Sequence, residues 1–262
     1  MDSHIPSYGN PGVGYSVFWR RILLVIIGFS TAAIVTFIPR PPSAGRHYRR
    51  ILASTLSDFQ DLYALLLTDW ATRQENLNTV LGNHAVETAD TLASIRGPMQ
   101  LLKFEFSSDD FSAKGLTQVT SLCSTINHNI FQVFYYSSSL PDTLKQRFAI
   151  LSGAFEEHFV GDFMAVLTLL EQSLRTGKPL PAVMPTPLVV RAFRAGRTDE
   201  NKKLLEVVDR QDIQEDGFRK YCMVLNGFSG LLRAIDELVM VVKEELGETH
   251  VIDLERWGQS KF

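Results

Sequence analysis

Three polar constellations carry the residue types that could do chemistry. Glu156, Glu157, His158 and Asp162 gather carboxylates and an imidazole on one short stretch. His158 and Asp162 stand one helical turn apart, a spacing that lets two side chains share a metal. Asn127-His128-Asn129 brings two amides to an imidazole, as a polar helix face or an internal hydrogen-bonding group. Asp236 and Glu237 lie close to Arg233, a surface or interhelical ion-pair pattern. Such groupings are common on wet helix faces, and no further ligand or nucleophile joins them. There is no Walker motif, no GxGxxG after a strand, no nucleophile elbow and no cysteine–histidine metal spacing. No residue is assigned a catalytic, cofactor-binding or metal-binding role, no cofactor is implied, and the chain is expected not to be an enzyme.

The elements that would position these residues are helical. Leu52, Leu56, Phe59, Tyr63, Leu66 and Trp70 recur at steps of four and three, a heptad seam widened by Leu62 and Leu67. The rhythm returns at Leu92, Ile95, Met99, Leu102 and Phe106, where Gly97-Pro98 should kink or split the helix. It returns again at Val119, Leu122, Ile126, Ile130 and Val133. Pro141 suits the first turn of the next helix. Phe148, Phe155, Phe159, Phe163, Val166, Leu170 and Leu174 line that helix, and Gly177 stops it. Tyr221, Leu225, Phe228, Leu232, Ile235, Val239, Val242 and Leu246 line a closing helix ended by Gly247. Its apolar face is expected to pack on the helix of Leu52 to Trp70 or its neighbours. No segment sustains the alternation of a strand.

Two stretches interrupt the bundle. Residues 178–187 carry Pro179, Pro181, Pro185 and Pro187 and read as an ordered extended crossover. Residues 194–216 mix both charge signs densely and read as a solvated loop, with at most a short helix over 202–208.

The net charge of −3 and the lack of a broad basic field exclude nucleic acid as an implied partner. Cys123 and Cys222 lie in apolar surroundings and are expected as buried thiols in a reducing compartment, not as a disulfide.

At the front, Ile22 to Ile38 is free of charge and bracketed by Arg20 and Arg21 before it and by Arg40, Arg46, Arg49 and Arg50 after it. As a helix it spans about 25 Å. Val17, Phe18 and Trp19, with both arginines snorkelling, extend it toward a hydrocarbon core of roughly 30 Å. Small residues sit inside the run and a proline-rich segment follows, which argues against a cleaved signal peptide. A soluble core helix seldom runs this far without charge. The excess of arginine after the span places the remainder of the chain in the cytosol. The same arginines suit contact with anionic headgroups.

Two motifs carry a family resemblance. The first runs Tyr8-Gly9-Asn10-Pro11-Gly12-Val13-Gly14-Tyr15-Ser16, then Trp19-Arg20-Arg21, then Phe37-Ile38-Pro39-Arg40-Pro41-Pro42-Ser43. It resembles the end of the membrane domain in fungal proteins of the aromatic acid exporter type. These also go under the description of endoplasmic-reticulum transporters related to brefeldin A sensitivity, and are distant relatives of the fusaric acid resistance efflux proteins. The second motif is Leu174-Arg175-Thr176-Gly177-Lys178-Pro179-Leu180-Pro181, followed by Met184-Pro185-Thr186-Pro187-Leu188-Val189-Val190-Arg191. It is similar to the proline-rich signature of that family's C-terminal domain of unknown function. Ile235-Asp236-Glu237-Leu238, Lys243 and Gly247-Glu248 fit its last helix.

Such proteins carry several transmembrane helices before this point, whereas this chain carries one. The resemblance therefore implies a last span plus a C-terminal domain. A transport pathway needs several helices around a cavity, so this chain alone is not expected to transport.

The expectation is an all-α chain with one N-terminal transmembrane helix followed by a multi-helix bundle. Its parts are a loop (1–16), the transmembrane helix (17–38), the main bundle with its crossover at 178–187 (39–193), the charged loop (194–216), the closing helix (217–247) and a tail (248–262). Expected partners are the lipid bilayer and further transmembrane helices of a related or longer chain, in the endoplasmic reticulum or plasma membrane. Self-association into a homo-oligomer is left open by the seams. A competing reading is a single-pass anchored helical adaptor that recruits a protein partner.

Overall fold

The computed structural model describes residues 14–37, 43–72, 77–104, 111–196 and 216–249. The chain divides into two units, 1–43 and 44–262.

In the first unit α1 runs from Gly14 to Phe37. Gly14, Tyr15 and Ser16, expected in a loop, already belong to the helix. Between Val17 and Val35 its large apolar side chains are exposed, from 41% at Val17 to 75% at Phe29, except the half-exposed Ile22. Val17–Val35 is, among the described residues, the one helix long and apolar enough to cross a membrane.

Among its described residues the second unit is all-α apart from one two-residue strand pair, with one short 3-10 turn at Leu102–Phe104. Its helices are α2 (Ala44–Thr72), α3 (Leu77–Met99), α4 (Ala113–Ser138), α5 (Asp142–Ser152), α6 (Glu157–Thr176), α7 (Leu188–Gly196) and α8 (Asp216–Leu246). Strand β1 (Leu180–Pro181) pairs in parallel with β2 (Glu248–Thr249).

The α2 seam is buried as its spacing predicts: Leu52, Leu56, Phe59, Leu62, Tyr63 and Leu66 lie in the core. Trp70 is half-buried and packs on Phe155 and Phe148 at ring distances of 4.7 and 5.4 Å. In α3, Leu92, Ile95 and Met99 are buried. The expected break at Gly97-Pro98 is present: α3 stops at Met99 and Leu102 falls in a separate 3-10 turn, Leu102–Phe104. Pro98 falls in the last turn, where losing one N–H simply ends the helix. Phe106 lies outside the described residues. Every seam residue named for α4 is buried.

The long helix expected to carry Phe148 through Leu174 is two helices. Gly153 takes φ 64° and closes α5, and Glu156 opens α6 by accepting the Phe159 N–H at 2.8 Å. The apolar rhythm continues across the break because both helices aim their rings at one cluster. Phe148 and Phe159 both face Phe228, and Tyr63 stacks on Phe163 at 4.1 Å. The Tyr63 hydroxyl donates to the Ala154 carbonyl at the break, 2.9 Å away. Pro141 occupies the cap position before α5, not its first turn.

The closing helix packs chiefly along α4, its partner over almost its whole length, rather than along α2. The pair is antiparallel. Ser112 meets Glu245 at one end, and Gln132 donates to the Met223 carbonyl at 3.0 Å toward the other. Gly227 and Gly230 permit the close approach. A Cβ on Gly230 would lie 2.9 Å from Asn129 Oδ1. Val224, Leu231, Leu238 and Val241 widen the buried face beyond the expected seam, while Leu225 and Leu246 are only half-buried.

Of the expected charged loop, residues 197–215, including 202–208, lie outside the described residues. Arg194 falls in α7 and Asp216 opens α8. The expected tail begins instead with β2.

Candidate functional site

The proline-rich crossover is tied to the bundle at both ends and along its length. It begins where Gly177, at φ 74°, caps α6 and donates its N–H to the Ser173 carbonyl at 2.8 Å. Glycine is needed there twice over. The left-handed backbone disfavours a side chain, and a Cβ would lie 2.6 Å from Arg49 Nη1. Arg49, 4% exposed, thus sets its guanidinium over the C-terminal end of α6, where the helix dipole favours a cation. The Ser173 hydroxyl donates to the Lys178 carbonyl at 2.6 Å.

Further on, β1 is held against β2, and the Ala182 N–H donates to the Thr249 carbonyl at 2.8 Å. Lys243 of α8 reaches across this strap. Its ammonium donates to the Ala182 carbonyl at 2.8 Å and pairs with Glu248 at 2.9 Å. The Thr186–Pro187 peptide is cis. Asp236 then closes the crossover, accepting the Leu188 N–H at 2.8 Å and the Val189 N–H at 3.3 Å. A carboxylate on two first-turn N–H groups satisfies donors that α7 itself cannot. Burial pushes the Asp236 carboxyl up from the ordinary range, opposed by these two N–H groups. Arg191 of α7 pairs with Asp162 of α6 at 2.6 Å. Leu180, Met184, Leu188 and Ala192 anchor the segment in the core.

The three polar constellations are therefore dispersed into structural tasks. Glu156 caps α6, His158 is exposed, and Asp162 is the partner of Arg191. Among the described residues no group of three His, Cys, Asp or Glu side chains could hold a metal. In the second constellation Asn127 is buried and donates to the Ala85 carbonyl at 2.9 Å, Asn129 is buried against Gly230, and His128 is exposed. Asp236, expected in an ion-pair pattern with Arg233, caps α7 instead, and among the described residues its carboxylate is held by two backbone N–H groups. Nothing local in the sequence marks that role, because its two donors arrive from 48 and 47 residues away. Cys123 is buried and its thiol is pushed up to about 12, whereas Cys222 is exposed, against the expectation of two buried thiols.

Chemically the crossover is a clamp. It fixes α6, α7, α8 and β2 together, and the charges that reach it from the helices, Lys243 and Asp236, are spent on backbone or an opposite charge. A separate surface groove of about 360 Å³ lies between α4 and α8, lined by His128, Phe131, Gln132, Tyr135, Tyr136 and Met223.

Over 97% of its length the chain is 24% identical to an uncharacterized protein of Schizosaccharomyces pombe. It spans about a fifth of that relative, 20%. No solved structure matches the chain. The family model for the Brefeldin A-sensitivity protein 4-like domain matches residues 43–250, which takes in the bundle, the clamped crossover and the strand pair. The chain belongs to the Brefeldin A-sensitivity protein 4-like domain family.

Proposed function

We propose that the chain is a membrane span followed by the cytosolic helical domain of an exporter-like integral membrane protein, of the aromatic acid exporter and, more distantly, fusaric acid resistance type. The role is non-enzymatic: the bundle serves assembly or regulation. Further transmembrane helices of a related or longer chain supply any transport pathway, in the endoplasmic reticulum or plasma membrane. One observation carries this. The side chains of Val17–Val35 are exposed on every face, with none of that window buried. In water that surface would be a large unprotected apolar patch, and in a bilayer it is at home. The membership of residues 43–250 in a brefeldin A sensitivity-related family supports the reading.

Alkaline carbonate extraction of the expressed chain tests it. Retention in the membrane pellet is expected, and release into the supernatant overturns it. A glycosylation sequon engineered near Arg197 should stay unmodified, and efficient glycan addition would reverse the topology.

The groove between α4 and α8 favours a second reading, an anchored adaptor. Phe131 and Tyr135 are 39% and 60% exposed there, more than a bundle needs to leave open. For this reading, Tyr135→Glu abolishes capture of a partner from detergent extracts with carbonate resistance unchanged.

A further inference from the structure

With α1 in the bilayer, as proposed above, we infer that the end of the bundle formed by the start of α2 and the close of α6 docks on anionic phospholipid headgroups of the same membrane, through Arg46, Arg50, Arg175 and Lys178.

Helices α2 and α6 pack antiparallel, as three levels of contact along them show. Tyr63 stacks on Phe163, Gln60 meets the Thr168 hydroxyl at 3.5 Å, and Arg49 lies over Gly177. The first turns of α2 therefore stand beside the last turn of α6. Arg46 and Arg50 lie within one turn of Arg49, and Arg175 and Lys178 lie within two residues of Gly177. All four are exposed. Arg175 pairs with Glu171 at 2.6 Å, yet 57% of its side chain faces solvent. The neighbouring cation Lys243 is consumed by Glu248 and the Ala182 carbonyl. Two sequence-distant basic pairs thus become one positive end.

The occupant follows from charge and tether. Six residues lie between Phe37 and Ala44, so seven Cα-to-Cα steps join the two helices. At about 3.3–3.6 Å per residue they reach roughly 25 Å at most. A bilayer leaflet is therefore held at high effective concentration near this end, so weak individual contacts suffice. Each basic residue near an anionic leaflet contributes about fivefold in association, and the effect fades within a Debye length.

The test uses the full chain reconstituted in phosphatidylcholine vesicles, with and without phosphatidylserine, followed by amide hydrogen exchange over residues 44–52 and 173–180. Exchange at least about fivefold slower with phosphatidylserine is expected, with the difference lost at high salt. The double variant Arg50→Glu and Lys178→Glu should exchange equally in both vesicles, at an unchanged thermal midpoint. The pair Arg50→Lys and Lys178→Arg should restore the difference. Equal exchange of the native chain in both vesicles overturns the inference. So does equal protection by inorganic phosphate added to phosphatidylcholine vesicles, which would mark a free-anion site. Release of the chain by carbonate from both vesicles would instead defeat the membrane reading of α1, and the docking with it.

Discussion

Helices α1 and α8 are both long and rich in apolar residues, but they dispose of that surface in opposite ways. On α8 the apolar residues recur at four and three steps, and Leu231, Leu232, Ile235 and Leu238 are wholly buried. Its remaining face carries Arg233, Glu237 and Glu244, all exposed. On α1 no face is reserved. Leu24, Val25, Ile26 and Ile27 follow one another, and all are more than half exposed. Periodicity thus reports a protein partner on one side, whereas its absence in a charge-free helix reports an apolar solvent on all sides. The content of apolar residues does not separate the two helices; their arrangement does.

The sharpest way to break this contrast is a matched pair of substitutions. Leu232→Asp puts a carboxylate into the α4–α8 seam. An unpaired buried charge costs several kcal/mol, a large share of a typical domain stability of about 5–15 kcal/mol. Loss of cooperative thermal unfolding and of protease resistance is expected. Leu24→Asp in α1 should leave the bundle's thermal midpoint unchanged. It should weaken carbonate-resistant insertion instead, at about 2.5–3.5 kcal/mol for a carboxylate at a span's centre. Equal effects of the two on the bundle would erase the distinction.

Next in size is the close approach at Gly230. Gly230→Val would force a side chain against Asn129 and is expected to cost about 1–3 kcal/mol by denaturant titration. Gly82 of α3 has open space around it, so Gly82→Ala should raise stability by about 0.5–1 kcal/mol. Opposite signs for two helical glycines would show that packing, and not propensity, decides α8.

Asp236→Ala should cost about 1–2 kcal/mol through the lost cap, while Asp236→Asn keeps one acceptor and costs less. The pH dependence has a definite sign. Because burial raises this carboxyl, the folded chain holds its proton more tightly than the unfolded chain does. The contribution of Asp236 to stability is greatest below the ordinary carboxylate pKa and falls as pH rises through the raised one. The native chain should therefore gain on Asp236→Asn as pH falls from neutral into the carboxylate range. A loss on acidification relative to that variant would contradict the burial.

Least perturbing is thiol labelling. Cys222 should alkylate at once near neutral pH. Cys123, enclosed in the α4 seam with its thiol at about 12, should react only when the bundle opens.

The α4 seam and the stop at Gly177 were legible because both are local signals, a period and a glycine after it. The break at Gly153 was not, since the phenylalanine rhythm runs through it toward one shared cluster. Ser152-Gly153 followed by two glutamates was the available hint. The partner of α8 was unreadable because several seams offer the same rhythm, and only the paired glycines Gly227 and Gly230 favour a close neighbour. The clamp depended on contacts far apart in the chain. Lys243 and Asp236 become legible only once residues 178–188 are known to pass beside α8.

The antiparallel union of α4 and α8 also sets a schedule for synthesis. The face of α4 bearing Val119, Ile126 and Val133 is complete when Ser138 leaves the ribosome, but its cover starts at Asp216. At about 5–20 residues per second, that face waits roughly 4–16 s before the first turn of α8 exists. During that interval the growing chain presents a sticky stripe with no mate. Glu245, which binds Ser112 at the far end of the pair, lies in the last turn of α8, so the α4–α8 pair zips shut only as translation of α8 finishes.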